Sequence, residues 1–126
     1  MSTITDIRTV GITTADQDNA IAFYRDTLGF VVRLDVDGPT RWIEVAPAGA
    51  DVSLALVAGD RPAGEVIETG IRFNVPDAAA ERDALSSRGV SVGELLLWPG
   101  VPPMFTFDDP DGNRFVILEQ TVAEGS

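Results

Sequence analysis

The feature that most constrains this chain of 126 residues is that its order of segments occurs twice. In residues 4–14, Val10 and Ile12 alternate with Thr9, Gly11 and Thr13, the period of a half-buried strand. Asp16 follows as a helix N-cap, with Asp18 placed to complement the helix dipole. Ile21, Tyr24 and Leu28 recur at helical spacing, and Gly29 is suited to the left-handed residue that ends a helix. Strand-like stretches at 30–35, 41–46 and 52–57 come next, separated by turns at Gly38-Pro39 and Pro47-Ala48-Gly49. After a Gly- and Pro-containing linker at about 59–67 the order returns: a strand at 69–75, Asp77 as cap, a helix closed by Gly89, then strands at 90–97, 104–107 and 114–120. Asp109-Pro110-Asp111-Gly112 forms the last turn. Asp16 to Gly29 and Asp77 to Gly89 span 13 and 12 positions, so the two helices match in length as well as order.

A β-α-β-β-β unit covers one face of its sheet with its own helix. Two such units, at about 4–58 and 68–120, predict an α+β fold in a single domain of residues 1–126. Their uncovered faces would form a curved mixed sheet around a central cleft. Alternation assigns Thr9, Gly11, Thr13, Ser53, Ala55 and Val57 to that face in the first unit. In the second it assigns Gly70, Arg72, Asn74, Arg114, Val116 and Leu118. A buried arginine is costly unless paired or solvated, so Arg72 is expected to meet a carboxylate, with Glu44 as its candidate, or a ligand.

Composition then removes whole classes of chemistry. The chain has no cysteine, histidine or lysine; all nine of its cations are arginine. Thiol nucleophiles, disulfides, Schiff-base lysines, Ser-His-Asp triads and thiolate or imidazole metal sites are excluded. Acid–base work falls to carboxylates, hydroxyls and the one tyrosine, Tyr24. A net charge of −11 repels phosphate backbones and anionic membranes, so neither is expected as a partner, while cationic molecules are attracted. No apolar run is long enough to span a bilayer and no signal segment precedes the domain; a cytoplasmic location is expected.

Two stretches carry a family likeness: Phe23-Tyr24-Arg25-Asp26-Thr27-Leu28-Gly29-Phe30, and Phe107-Asp108-Asp109-Pro110-Asp111-Gly112-Asn113-Arg114-Phe115. In this order around a duplicated βαβββ pattern, they resemble the vicinal-oxygen-chelate superfamily, the glyoxalase, bleomycin-resistance and extradiol-dioxygenase group. The resemblance covers roughly residues 4–120. It is specific for fold and weak for function, because the fold hosts isomerases, dioxygenases, transferases and inert drug binders. Metal-using relatives carry ligands at positions that fall here on Thr9, Ala55, Gly70 and Val116. Threonine is a poor neutral ligand and the other three have no side-chain donor; Glu119 lies three residues beyond Val116 and is expected to face the helix side. The resemblance therefore implies a member without a metal site or other cofactor.

Drug-binding relatives stack aromatic side chains on planar ligands, and these small proteins are usually homodimers. The resemblance makes Trp42, Trp98, Met104 and Phe105 candidate ligand contacts here, beside Glu44, Arg72 and Arg114, with no residue assigned a catalytic role. Three functions remain open: a metal-free protein sequestering a small hydrophobic or aromatic molecule, an antibiotic among them; a lyase, isomerase or dioxygenase of glyoxalase type; and a non-catalytic partner-binding module.

Overall fold

The computed structural model describes residues 2–120. The chain divides between Ala63 and Gly64 into two compact units. The first contains β1 (Thr9–Thr14), α1 (Gln17–Ala22), which continues into a π-helical turn (Phe23–Thr27), β2 (Val31–Val36), β3 (Trp42–Ala46) and β4 (Ser53–Ala58). The second contains β5 (Ile67–Val75), α2 (Ala78–Ser87), β6 (Ser91–Val92), β7 (Met104–Asp108) and β8 (Asn113–Glu119). Their sheets have matching orders, β1-β4-β3-β2 and β5-β8-β7-β6, with the first and last strands of each unit parallel and the other neighbours antiparallel. The duplicated α+β organisation is thus present in two four-stranded mixed sheets.

Both helices start where the caps predict. Asp16 accepts from the Asn19 N–H at 3.0 Å and Asp77 from the Ala80 N–H at 3.1 Å. Glu119 faces the helix side, as alternation requires, and its Oε1 accepts the Ala78 N–H at 3.1 Å, a donor that α2 itself leaves unmet. The first helix does not stay α-helical to its end. The Leu28 N–H reaches the Phe23 carbonyl at 3.1 Å, widening the last turn. Tyr24 is thereby fully buried, edge-on to Phe23 at 5.2 Å and tilted against Phe30 at 5.8 Å. Gly29 then leaves the helix at φ 78°.

Period-two alternation builds each core. In the first unit Ile12, Ile43, Val45, Leu54 and Leu56 are buried together with Ala20 and Ile21 of α1. In the second, Phe107 and Phe115 stack at 5.2 Å, Phe73 lies 5.4 Å from Phe115, and Phe105 and Ile117 are buried beside them, with Ala78 and Leu85 of α2.

Three boundaries differ from the sequence expectation. The first strand begins at Thr9, not at residue 4, because its partner β4 begins at Ser53; the ladder ends where the Ser53 N–H meets the Arg8 carbonyl at 3.1 Å. The strand expected over 90–97 shrinks to Ser91–Val92 plus an isolated bridge between Leu96 and Met104. Gly93 crosses so close to β7 that a Cβ there would stand 2.5 Å from Thr106 Oγ1. β5 begins at Ile67, inside the expected linker. Two strands also carry bulges: Arg33 is extra between Val32 and Leu34, and β5 gains two residues around Gly70, which sits at φ 75°.

Candidate ligand-binding face of the first unit

Strand β3 reads Trp-Ile-Glu-Val, and its alternation decides the site. Ile43 and Val45 enter the core, so Trp42 and Glu44 must project from the opposite face of the sheet. Register places Leu34 and Ala55 on either side of Glu44, Val36 beside Trp42, and Gly11 beyond Ala55. The carboxylate is therefore bounded by apolar or small neighbours, and Glu44 is 6% exposed.

The Trp42 Nε1–H donates to Glu44 Oε2 at 2.7 Å, a charge-assisted bond that orients the indole. The nearest cation is Arg8, whose NH2 lies 3.7 Å from the same oxygen while its side chain is 78% exposed. Glu44 Oε1 accepts no hydrogen bond among the described residues. Trp42 itself is 41% exposed. The face thus presents an aromatic ring, a covered carboxylate with one oxygen still available, and a loosely held arginine above it. At the rim, the Arg33 bulge lets its guanidinium donate to Ser53 Oγ at 3.1 Å.

The uncovered face of the second unit is different in kind. Val116 and Leu118 of β8 lie beside Arg72 and Asn74 of β5 and beside Thr106 and Met104 of β7. Arg114 donates from Nε and NH2 to the two oxygens of Asp108, at 2.7 and 3.0 Å, and lies 3.6 Å from Glu68. The hydrogen bonds that Arg114 donates to Asp108 raise its guanidinium above its ordinary value. Arg114 is thus held by two carboxylates in a cross-strand group.

The structure revises several sequence expectations. Phe105 is 1% exposed and shares the helix-side face with Phe107, because β7 alternates with Met104 and Thr106 on the other side; it is a core residue and no ligand contact. Arg72 is exposed and donates to the Gly70 carbonyl at 3.3 Å, so the burial cost that called for Glu44 does not arise. Glu44 is engaged by Trp42 and Arg8 instead. Trp98 stands 60% exposed in the Pro-rich loop before β7, where the sequence puts it. Tyr24 is deep in the first core. Asp109 is the pivot of its turn: its Oδ1 accepts the Asp111 and Asn113 N–H groups and its Oδ2 accepts Asn113 Nδ2, all at 2.9 Å. Arg8 and Arg33 carry no local signal of a site: one stands just before β1 and the other lies in a bulge that alternation cannot foresee.

Thr9, Ala55, Gly70 and Val116 contribute one side-chain oxygen among them, that of Thr9, and Gly70 occupies a backbone conformation that disfavours any side chain. That donor set does not fit a divalent ion. Among the described residues no three His, Cys, Asp or Glu side chains are grouped as a metal site would need.

The profile of the Glyoxalase/Bleomycin resistance protein/Dioxygenase superfamily matches residues 6–117. The chain belongs to this superfamily. TnmS3, described as an antibiotic binding protein from Streptomyces sp. CB03234, is 32% identical, with 96% of this chain and 100% of TnmS3 covered at a TM-score of 0.83. A superfamily member from Sphaerobacter thermophilus DSM 20745 is 31% identical over 93% of this chain and 98% of its own, at a TM-score of 0.84. YetH, an uncharacterized protein of Bacillus subtilis (strain 168), is 32% identical over 122 residues, 92% of this chain and 99% of YetH. The two units described above are the paired βαβββ modules of the glyoxalase-like fold. No helix among the described residues is long and apolar enough to cross a membrane.

Proposed function

We propose that this superfamily member is a metal-free, cytoplasmic binding protein that sequesters a small hydrophobic or aromatic molecule, with antibiotics as the first class to examine. The observation that carries the proposal is the Trp42–Glu44 pair: a half-exposed indole, fixed by its own N–H bond, offers a planar ligand an aromatic ring on a face otherwise lined by Leu34, Val36, Ala55 and Gly11. Pre-fixing the ring lowers the ordering cost of binding, and aromatic stacking adds about 0.5–1.5 kcal/mol to the area removed from water. The likeness to an antibiotic binding protein at 32% identity supports the same function. Exposed Ile4 and Ile7 ahead of β1 are apolar surface that a second copy would cover, and a homodimer is part of the proposal.

Calorimetric titration with planar aromatic compounds, acridine included, tests it. Saturable binding is expected, about tenfold weaker in Trp42→Ala and within about threefold of wild type in Trp42→Phe, which keeps an aromatic plane. Absence of binding across a broad panel of such compounds overturns the proposal.

A further inference from the structure

We infer that the Glu44 site is selective for a cationic aromatic ligand, a protonated amine or amidine carried on a planar ring, whose charge takes the Glu44 carboxylate in place of Arg8. The inference rests on the binding function proposed above and names its ligand class. Three observations converge on it, all within the first unit.

The first is the state of the carboxylate. Glu44 is more than nine-tenths buried, yet its Oε1 accepts no hydrogen bond among the described residues. No buried side-chain oxygen or nitrogen among the described residues is left unsatisfied. The free oxygen therefore keeps a narrow opening to solvent, through which a donor can reach it. A largely desolvated carboxylate with an open coordination position attracts a cationic donor more strongly than a surface carboxylate does.

The second is the weakness of the resident cation. Arg8 approaches Oε2 only to 3.7 Å, through one nitrogen, from a side chain that is mostly in water. Pairs of that kind contribute little, and the arginine regains full hydration when it swings away. Its backbone stays anchored by the bond from the Ser53 N–H, so only the side chain has to move.

The third is the indole. Trp42 is held against the same carboxylate by its Nε1–H, so a ligand that lies on the ring face brings any amine at its edge toward Glu44. Ring and charge are then read together, and the amine is also drawn to the π face. A neutral ring gains only the stacking half of this recognition.

The probes are acridine, neutral at about pH 8, and its 9-amino derivative (aminoacridine below), an amidine-like base that is protonated there. Wild type is expected to bind aminoacridine about tenfold or more tightly than acridine. Glu44→Gln is expected to bring the two within about twofold of each other. Arg8→Ala is expected to bind aminoacridine about threefold more tightly than Arg25→Ala. The two arginine variants carry the same net charge, and Arg25 pairs with Asp26 away from this face. That comparison uses two exposed arginines and stands even if Glu44→Gln fails to fold. Equal affinity for both probes in wild type, or Arg8→Ala indistinguishable from Arg25→Ala, overturns the inference and leaves the binding function standing. Binding of neither probe overturns the inference, and absence of binding across the broader panel of planar compounds overturns the binding function as well.

Discussion

Glu44 in the first unit and Asp109 in the second are covered to nearly the same degree, 6% and 5% exposed, yet they are opposite in character. Asp109 accepts two backbone N–H groups and an amide, closing the turn between β7 and β8 with both oxygens occupied. Glu44 accepts one indole N–H and, among the described residues, keeps an oxygen open, on a face turned away from the helix. Burial alone does not separate scaffold from site. The hydrogen bonds each carboxylate makes do, because a saturated buried anion holds its own chain together and an unsaturated one is poised for something else.

Truncation sharpens the contrast. Asp109→Ala orphans three donors at once and is expected to cost about 3 kcal/mol in urea unfolding, since each buried unmet group costs about 1–3 kcal/mol and the turn relaxes in part. Glu44→Gln keeps a neutral acceptor for Trp42, loses the loose pair with Arg8 and sheds a largely buried charge, so its stability should lie within about 1 kcal/mol of wild type. Similar losses in both variants would break the distinction.

A third carboxylate sets the small end of the scale. Asp35 accepts Arg41 Nε and NH2, each at 2.9 Å, and that hydrogen bonding holds its carboxyl below the ordinary value of 3.8. A depressed folded-state pKa stabilises fully above the unfolded value and is lost as pH falls below 3.8 through the lowered one. The difference in stability between wild type and Asp35→Asn should therefore shrink as pH is lowered through that window. A difference that does not change there would show that the pair does not couple to folding. The effect is small because the group is exposed to solvent.

Much of this arrangement is legible in the chain itself. Asp16 and Asp77 announce both helices, and Asp109-Pro110-Asp111-Gly112 announces the last hairpin, because each depends on local backbone chemistry that neighbouring residues settle. Alternation likewise places Glu44 away from the core and Val116 opposite Glu119. It fails where geometry is set by another strand. The Arg33 bulge, the two extra residues around Gly70 and the close crossing at Gly93 answer to partners far along the chain, so no local signal marks them. Phe105 lies in the core for a simpler reason: period two puts it on the face opposite its neighbour Met104. Arg8 falls within the strand expected over 4–14, and its meeting with Glu44 follows only from the pairing of β1 with β4 and of β4 with β3.

The central claim is that the open face around Trp42 is a ligand platform. Trp42 and Trp98 are the only tryptophans, so Trp98→Phe leaves Trp42 as the sole indole emitter. Titrating that variant with aminoacridine should change the Trp42 emission along a saturable curve, with the same midpoint that calorimetry gives. Emission that stays flat while calorimetry registers binding would place the ligand elsewhere and contradict the account.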